Sequence, residues 1–283
     1  MERGKEDCHI HMVLDGENWK AAIQRHENGP DRQWVRGILE QYARSGYDYL
    51  RDGGDRWGVG AAARSLAGEY GIRYRTPLAP LYHKGHYGSF IGVGFENVRE
   101  YRELVCKNRE KDFVKIMISG LMDFDRFGVL TQPGLSAGEI RELVHIAHEE
   151  GYAVMAHANG AEVVRAAAEA GVDSVEHGAY LDGEAIHAMA ENGTVWVPTL
   201  STIGNLRGKG RFDETAVEQI LESAMENASK FAAMGGLVAE GSDAGAWAVP
   251  HAAGTERTLL TQALGENVEE VLRRGGEKIR EKF

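Results

Sequence analysis

Cysteine and proline are scarce in this chain of 283 residues, and it has neither a net basic charge nor a long apolar run. The two cysteines, Cys8 and Cys106, cannot build the disulfide framework that small secreted domains rely on, so a reducing compartment is expected. A net charge of −11 with no basic cluster argues against a nucleic-acid partner. The acidity is read as a source of solubility. No stretch approaches the ~20 apolar residues of a bilayer-spanning helix. The opening Met-Glu-Arg-Gly-Lys-Glu-Asp is charged where a secretory leader is apolar. The expectation is a cytoplasmic protein with no membrane partner. No Gly-x-Gly-x-x-Gly follows the first apolar segment, which argues against a dinucleotide-binding sheet.

What is present is glycine, 36 residues against 6 prolines, and a hydrophobic content of 43%, enough for one large core. Short apolar segments alternate with helix-like ones throughout. Strands are expected at Cys8–Leu14, Tyr47–Arg51, Ile72–Thr76, Phe113–Ile118, Tyr152–Ala156, Asp173–Glu176, Thr194–Val197 and Leu237–Glu240. Helices are expected at Asn18–Arg25, Asp31–Ser45, Gly58–Tyr70, Glu96–Asn108, Ala161–Ala170, Asp182–Asn192 and Asp213–Met234, with further helix running to Phe283. Ser136 with Glu139 three residues on has the form of a capping box that opens a helix ending near Gly151. Two loops are long, Pro77–Gly94 and Ser119–Leu135. Strands apolar on both faces imply parallel pairing under a cover of helices. Eight strand–helix units with right-handed crossovers favour a (β/α)8 TIM barrel, an α/β fold, as a single domain over residues 1–283.

In such a barrel the chemistry lies where strands end. The first strand carries His9-Ile10-His11, and residues two apart on a strand share a face. Both imidazoles therefore project toward one point, as two ligands of one ion must, and imidazole suits zinc and similar metals. The fourth strand carries Lys115 amid apolar neighbours, the fifth ends in His157, the sixth in Glu176-His177-Gly178, and the eighth in Gly241-Ser242-Asp243-Ala244-Gly245. Singly, each has an ordinary reading: a hydrogen-bonded structural histidine, a turn-capping aspartate, a lysine reaching for the barrel end. Jointly they form a metal-ligand set on one rim. A buried ammonium ligates nothing, but a lysine carboxylated by carbon dioxide offers oxygens to two cations, and burial favours the neutral amine this needs.

Asp7–Met12, Lys115, Ala156-His157, Glu176-His177-Gly178 and Gly241–Gly245 resemble the metal-dependent amidohydrolase superfamily, most closely its prolidase and imidazolonepropionase-like branch. Tyr49-Leu50-Arg51-Asp52-Gly53-Gly54 and Pro250-His251 match as well, so the resemblance runs over nearly the whole chain. It implies two divalent metal ions, zinc by default, with manganese, iron, cobalt and nickel as alternatives. His9, His11 and Asp243 would hold the first, His157 and His177 the second, and N-carboxylated Lys115 would bridge them. Ions roughly 3.5–4 Å apart bring a bridging water's pKa toward about 7 and so provide a metal-bound hydroxide. Asp243 would carry its proton to the leaving nitrogen.

The implied activity is hydrolysis of a C–N bond in a small molecule: an N-acyl amino acid, a dipeptide or a cyclic amide. Ester or lactone hydrolysis at the same site is the alternative. A non-catalytic metal-binding barrel would lack ligands that are all present here. Candidate substrate contacts are Tyr82, His83 and His86 in the third-strand loop, Arg207 and Lys209 after the seventh strand, and His251. His26, His145, His148 and His187 are left out as solvent-facing helical residues. Relatives of this branch add a small β-sandwich built from both chain ends. This chain leaves no room for one, so a homo-oligomer that covers the barrel flank is a further expectation.

Overall fold

The computed structural model describes residues 4–283. Ten strands form: β1 (Lys5–Ile10), β2 (Tyr47–Asp52), β3 (Arg73–Arg75), β4 (Leu81–His83), β5 (Val93–Phe95), β6 (Val114–Met117), β7 (Val154–Ala158), β8 (Ser174–His177), β9 (Val195–Val197) and β10 (Leu237–Val238). The helices are α1 (Trp19–Arg25), α2 (Arg32–Arg44), α3 (Val59–Ala67), α4 (Val98–Lys107), α5 (Ala137–Glu149), α6 (Ala161–Glu169), α7 (Gly183–Glu191), α8 (Ser201–Gly204), α9 (Glu214–Ala233), α10 (Thr255–Leu264) and α11 (Val268–Lys282). Side chains open most of the longer helices by capping free backbone N–H groups: Asp31, Asn97, Asp182, Asp213 and the reciprocal Ser136–Glu139 pair. None of the helices is long and apolar enough, among the described residues, to cross a membrane.

Every pairing between these strands is parallel. They lie in two sheets, β1-β2-β3 and β10-β9-β8-β7-β6-β4-β5. The chain leaving β10 runs along β1 and joins the sheets at one seam: Cys8 N donates to Glu240 O (2.8 Å), Asp243 N to His9 O (2.7 Å) and His11 N to Ala244 O (2.7 Å). At the other seam Asp112 N donates to Thr76 O (3.0 Å), and the Asp112 carboxylate accepts from Thr76 N (2.9 Å) and from Arg75 (2.8 Å). There β4 lies along the second half of β6, pairing Leu81 with Ile116 and Tyr82 with Met117.

Strand β4 and the first two residues of β5 fall inside the stretch expected as the loop Pro77–Gly94. Each strand has three residues, too short for periodicity to register, and Gly94 sits within β5. The eighth expected strand forms only over Leu237–Val238; beyond it the backbone bonds pass from β9 (Ala239 N to Trp196 O, 3.0 Å) to β1 (Cys8 N to Glu240 O, 2.8 Å).

Strands β6 to β9 are buried along their whole length, between an outer helical layer and the barrel interior. At the end where strands begin, Tyr49, Phe113, Met155 and Val195 pack with Ile279 and Phe283, so α11 stops the barrel from below. The glycine pair Gly275-Gly276 permits this approach. A Cβ on Gly275 would run into Val238 O, with Ala239 N 2.9 Å away. The site stands at the opposite end.

Candidate metal centre

Six buried side chains come together at one end of the strands. His9 Nε2 lies 3.4 Å and His11 Nε2 3.3 Å from Asp243 Oδ1, and Asp243 Oδ2 is 4.0 Å from His177 Nδ1. Lys115 Nζ is 3.1 Å from His9 Nε2. The His9 ring is 5.3 Å from that of His11 and 5.1 Å from that of His177, and the His157 and His177 rings are 4.5 Å apart. Ligand atoms of His9, His11 and Asp243 all fall within 4.8 Å of one another. His177 and Asp243 hold left-handed backbone, φ 69° and 58°, as does Thr199 at 49°. Non-glycine residues adopt this conformation only where their surroundings enforce it, often at functional sites.

The barrel interior orients these groups. His9 Nδ1 is 2.7 Å from Glu176 Oε2, so a neutral His9 donating there keeps its Nε2 lone pair for the centre. Glu176 Oε1 in turn accepts from Arg51 (2.8 Å) and from the Ser174 hydroxyl (2.5 Å). Arg51 also donates to Cys8 O (2.7 Å) and stacks 4.4 Å from the Phe283 ring. His177 Nδ1 meets the Thr199 hydroxyl at 2.8 Å, and His157 Nε2 faces Gly120 O at 3.3 Å. Asp7 ties β1 to the Asp243 segment, its carboxylate accepting from Ser242 N (2.8 Å) and Ser242 Oγ (2.6 Å). Burial pushes the Asp7 carboxyl up to about 6, against those hydrogen bonds.

Burial, reinforced by the Lys115 charge, holds His9, His11 and His157 below the ordinary histidine range and brings His177 to about 4. All four are therefore neutral imidazoles, the form that binds metals. Burial brings Lys115 down to about 8, opposed by Asp243, Glu176 and Asp52. For Asp243, burial pushes upward but is outweighed by the neighbouring His11, His177 and Lys115, and the carboxyl lies below its usual range.

The donor set fits a divalent ion on structural grounds. His11 Nδ1 and Asp243 Oδ1 are buried without a hydrogen-bond partner among the described residues. Gly53 leaves space beside them: a Cβ there would collide with His11 and come within 2.7 Å of Lys115 Nζ.

The remaining candidates lie elsewhere. A cavity of about 320 Å³ opens over the centre, lined by His11, Lys115, His157, His177 and Asp243, and Tyr82, His83, His86, Arg207 and His251 are not among its lining residues. His83 and His86 stack on each other with ring centroids 5.2 Å apart, and His83 Nε2 is 3.2 Å from Glu96 O. Tyr82 packs against Gly88, Gly92 and Gly94. Arg207 pairs with Glu218 at 3.7 Å, and Lys209 lines a neighbouring shallow pocket. His251 is buried between Leu14 O (2.9 Å) and the Tyr42 hydroxyl (3.3 Å). Of the histidines expected in solvent, His145, His148 and His187 are exposed beside carboxylates, at 3.3, 3.0 and 3.0 Å. His26 is buried instead, because its Nδ1 accepts Asp31 N (3.0 Å) and closes the turn between α1 and α2.

Residues 43–273 match the model of the amidohydrolase family. The chain belongs to the amidohydrolase family. Ochratoxinase of Aspergillus niger is 27% identical over 233 residues, 71% of this chain and 48% of that protein. The chain thus spans about half the length of this curated relative. A Xaa-Pro dipeptidase solved with methionine in its active site superposes with a TM-score of 0.79 at 22% identity, covering 98% of this chain and 75% of that one. A prolidase solved with N-methylphosphonate-L-proline gives 0.77 at 23%, covering 98% and 74%. These structural likenesses are of fold, and they identify the parallel-stranded architecture as TIM-barrel-like α/β. Within this amidohydrolase frame, Asp7, Arg51 and Glu176 emerge as the supports of the centre. All three lie inside sequence motifs already noted, but only the folded chain shows what they hold.

Proposed function

We propose that the protein is a metal-dependent hydrolase that cleaves a C–N bond in a small molecule. The observation that carries this is the buried His9–His11–Asp243 group, with ligand atoms within 4.8 Å of one another and Lys115 Nζ beside it. His9, His11 and Asp243 would hold one divalent ion and His157 and His177 a second, with N-carboxylated Lys115 between them; zinc is the metal proposed. Bound there, the ions would supply Lewis acidity toward a carbonyl oxygen and toward an attacking water.

The protein's own groups do the rest. Asp243 is ionised at neutral pH and sits between the histidines, where it takes a proton from the attacking water and hands it to the departing nitrogen. Amide nitrogen needs that proton, since an amide anion is a very poor leaving group. Glu176 and Thr199 fix the His9 and His177 rings. Apolar walls formed by Tyr87, Phe90 and Met117 limit the water around the reacting carbonyl.

Asp243→Asn tests the assignment. With metal content measured and matched, kcat/KM for amides falls by about 10²–10⁴. Hydrolysis of the corresponding activated esters falls much less. Equal losses on both substrates would remove Asp243 from the proton path.

A further inference from the structure

Lys115 stands between two cavities. One is the cavity over the centre, and the other, of about 280 Å³, lies in the side wall of the barrel. Among the described residues Lys115 alone lines both. The side cavity follows from how the chain passes the seam between β3 and β6. The two segments meet where Asp112 N donates to Thr76 O (3.0 Å), and then they part. Pro77-Leu78-Ala79-Pro80 carries two of the six prolines of the chain, and a proline offers no N–H to a ladder. Ala79 N turns back on Pro77 O (3.0 Å), Leu78 holds a left-handed φ of 66°, and Leu78 O accepts from Asp55 N (2.8 Å). This turn is fixed away from β6. Strand β4 then joins β6 only from Ile116 onward. Val114 and Lys115, the first half of that strand, pair with β7 on one side and with no strand on the other among the described residues.

The side cavity occupies the gap so left. Leu81, Val93 and Leu104 wall it together with Leu78 and Ala79. Its outer end lies at the end of α4, where Lys107 and Asn108 are exposed. Lys111 braces that end by donating to Val105 O (2.6 Å) and to Asn108 O. The inner end is Lys115, which is 1% exposed. Walls of this kind admit a small uncharged molecule and turn back ions, whose dehydration in apolar surroundings is costly. The cavity over the centre has to admit water, metal and substrate, whereas the side cavity touches no proposed ligand other than Lys115. A primary amine at the end of an apolar passage has carbon dioxide as its natural small, uncharged reaction partner.

Resting on the N-carboxylated Lys115 of the reading above, we propose that the side cavity is the entry by which carbon dioxide reaches this lysine. In the step, the lone pair of the neutral Lys115 amine bonds to the carbon of carbon dioxide. One C=O π pair moves onto oxygen, and an N–H proton passes to water. The product is a carbamate, formed with no change in oxidation state. The lysine is thereby supplied without traffic through the substrate cavity. Ala79 and Leu104 set the width of the passage and stay remote from the atoms that react in hydrolysis.

The test follows carbamate formation itself. Metal-free protein held in buffer freed of carbon dioxide receives zinc and isotopically labelled bicarbonate, with carbonic anhydrase present so that dehydration is not limiting. Carbon NMR of samples stopped at intervals then reports the labelled carbamate. Ala79→Phe narrows the passage and Leu104→Ala widens it. Formation is several-fold slower in A79F and faster in L104A, while final carbamate and bound zinc reach the wild-type level in both. A damaged fold would lower those endpoints and would not speed formation. Leu104→Trp supplies a second plug, so the comparison survives a variant that does not fold. Equal rates in the plugged, widened and wild-type proteins would place the entry at the cavity over the centre and overturn the proposal. No carbamate in the wild type would instead remove N-carboxylated Lys115 from the reading above, and this entry with it.

Discussion

Gly53 shows how far one missing atom shapes the centre. It lies just past β2, where a Cβ would strike His11 and crowd Lys115 Nζ at 2.7 Å. Gly53→Ala is therefore expected to weaken metal binding about tenfold or more, the scale on which disturbed support of a ligand acts. Titration with a competing chelator reads this directly, while circular dichroism reports an intact fold. Glu256 gives a second prediction. Its carboxylate accepts from Leu200 N (3.0 Å), Ser201 N (2.7 Å) and Ser201 Oγ (2.6 Å), and so braces the turn after Thr199. Burial pushes this carboxyl up to about 8, against those hydrogen bonds and with some help from the charge of Glu240. The folded protein keeps a proton that the unfolded chain releases near 4.5. The stability this group contributes is complete below that value and is lost as pH climbs through about 8. Glu240, itself pushed up to about 7 by burial and paired with Arg257 at 2.8 Å, adds a slope of the same sign. Thermal melts from pH 6 to 9 should fall less steeply in Glu256→Gln than in the wild type; equal slopes would show that Glu256 is ionised in the fold. Among the proposed ligands, His9, His11, His157 and His177 stood out in sequence because they lie at or next to strand ends, Lys115 because it stands amid apolar neighbours, and Asp243 because it follows the last apolar segment. Tyr87 did not, since a loop's path decides which of its side chains faces a cavity.

At the scale of elements, the packing of α11 sets intrinsic propensity against close approach. Alanine in a helix interior is favoured over glycine by about 1 kcal/mol. At Gly275 the new methyl would meet Val238 O, and overpacking of this kind costs roughly 1–3 kcal/mol. Gly275→Ala should therefore lower the melting temperature, and a rise would mean that α11 moves away from β10 freely. The same scale explains what the pattern of residues revealed. Strands β6 to β9 were readable as short, largely apolar segments followed by helix-like ones, and α4, α5, α7 and α9 are opened by Asn, Ser or Asp caps. The pair β4 and β5 was hidden, because three-residue strands flanked by Pro80 and Gly92 look like loop. Their stability comes from alignment on β6, a tertiary contact with no local signal.

Over the whole molecule, one layered arrangement connects these parts. Phe283 and Ile279 close the barrel from below, Arg51 and Glu176 stand above them, His9 above those, and the cavity opens over the centre. The charges are buried in complementary pairs, and removing one partner of such a pair is strongly destabilising. The account depends on that assembly holding divalent ions. Elemental analysis of the purified, zinc-reconstituted protein after gel filtration, run beside Lys115→Ala, measures this most directly. The account predicts close to two equivalents in the wild type and a loss of one or both in the variant. A folded wild type that retains no stoichiometric metal, or a variant that keeps the full complement, contradicts it.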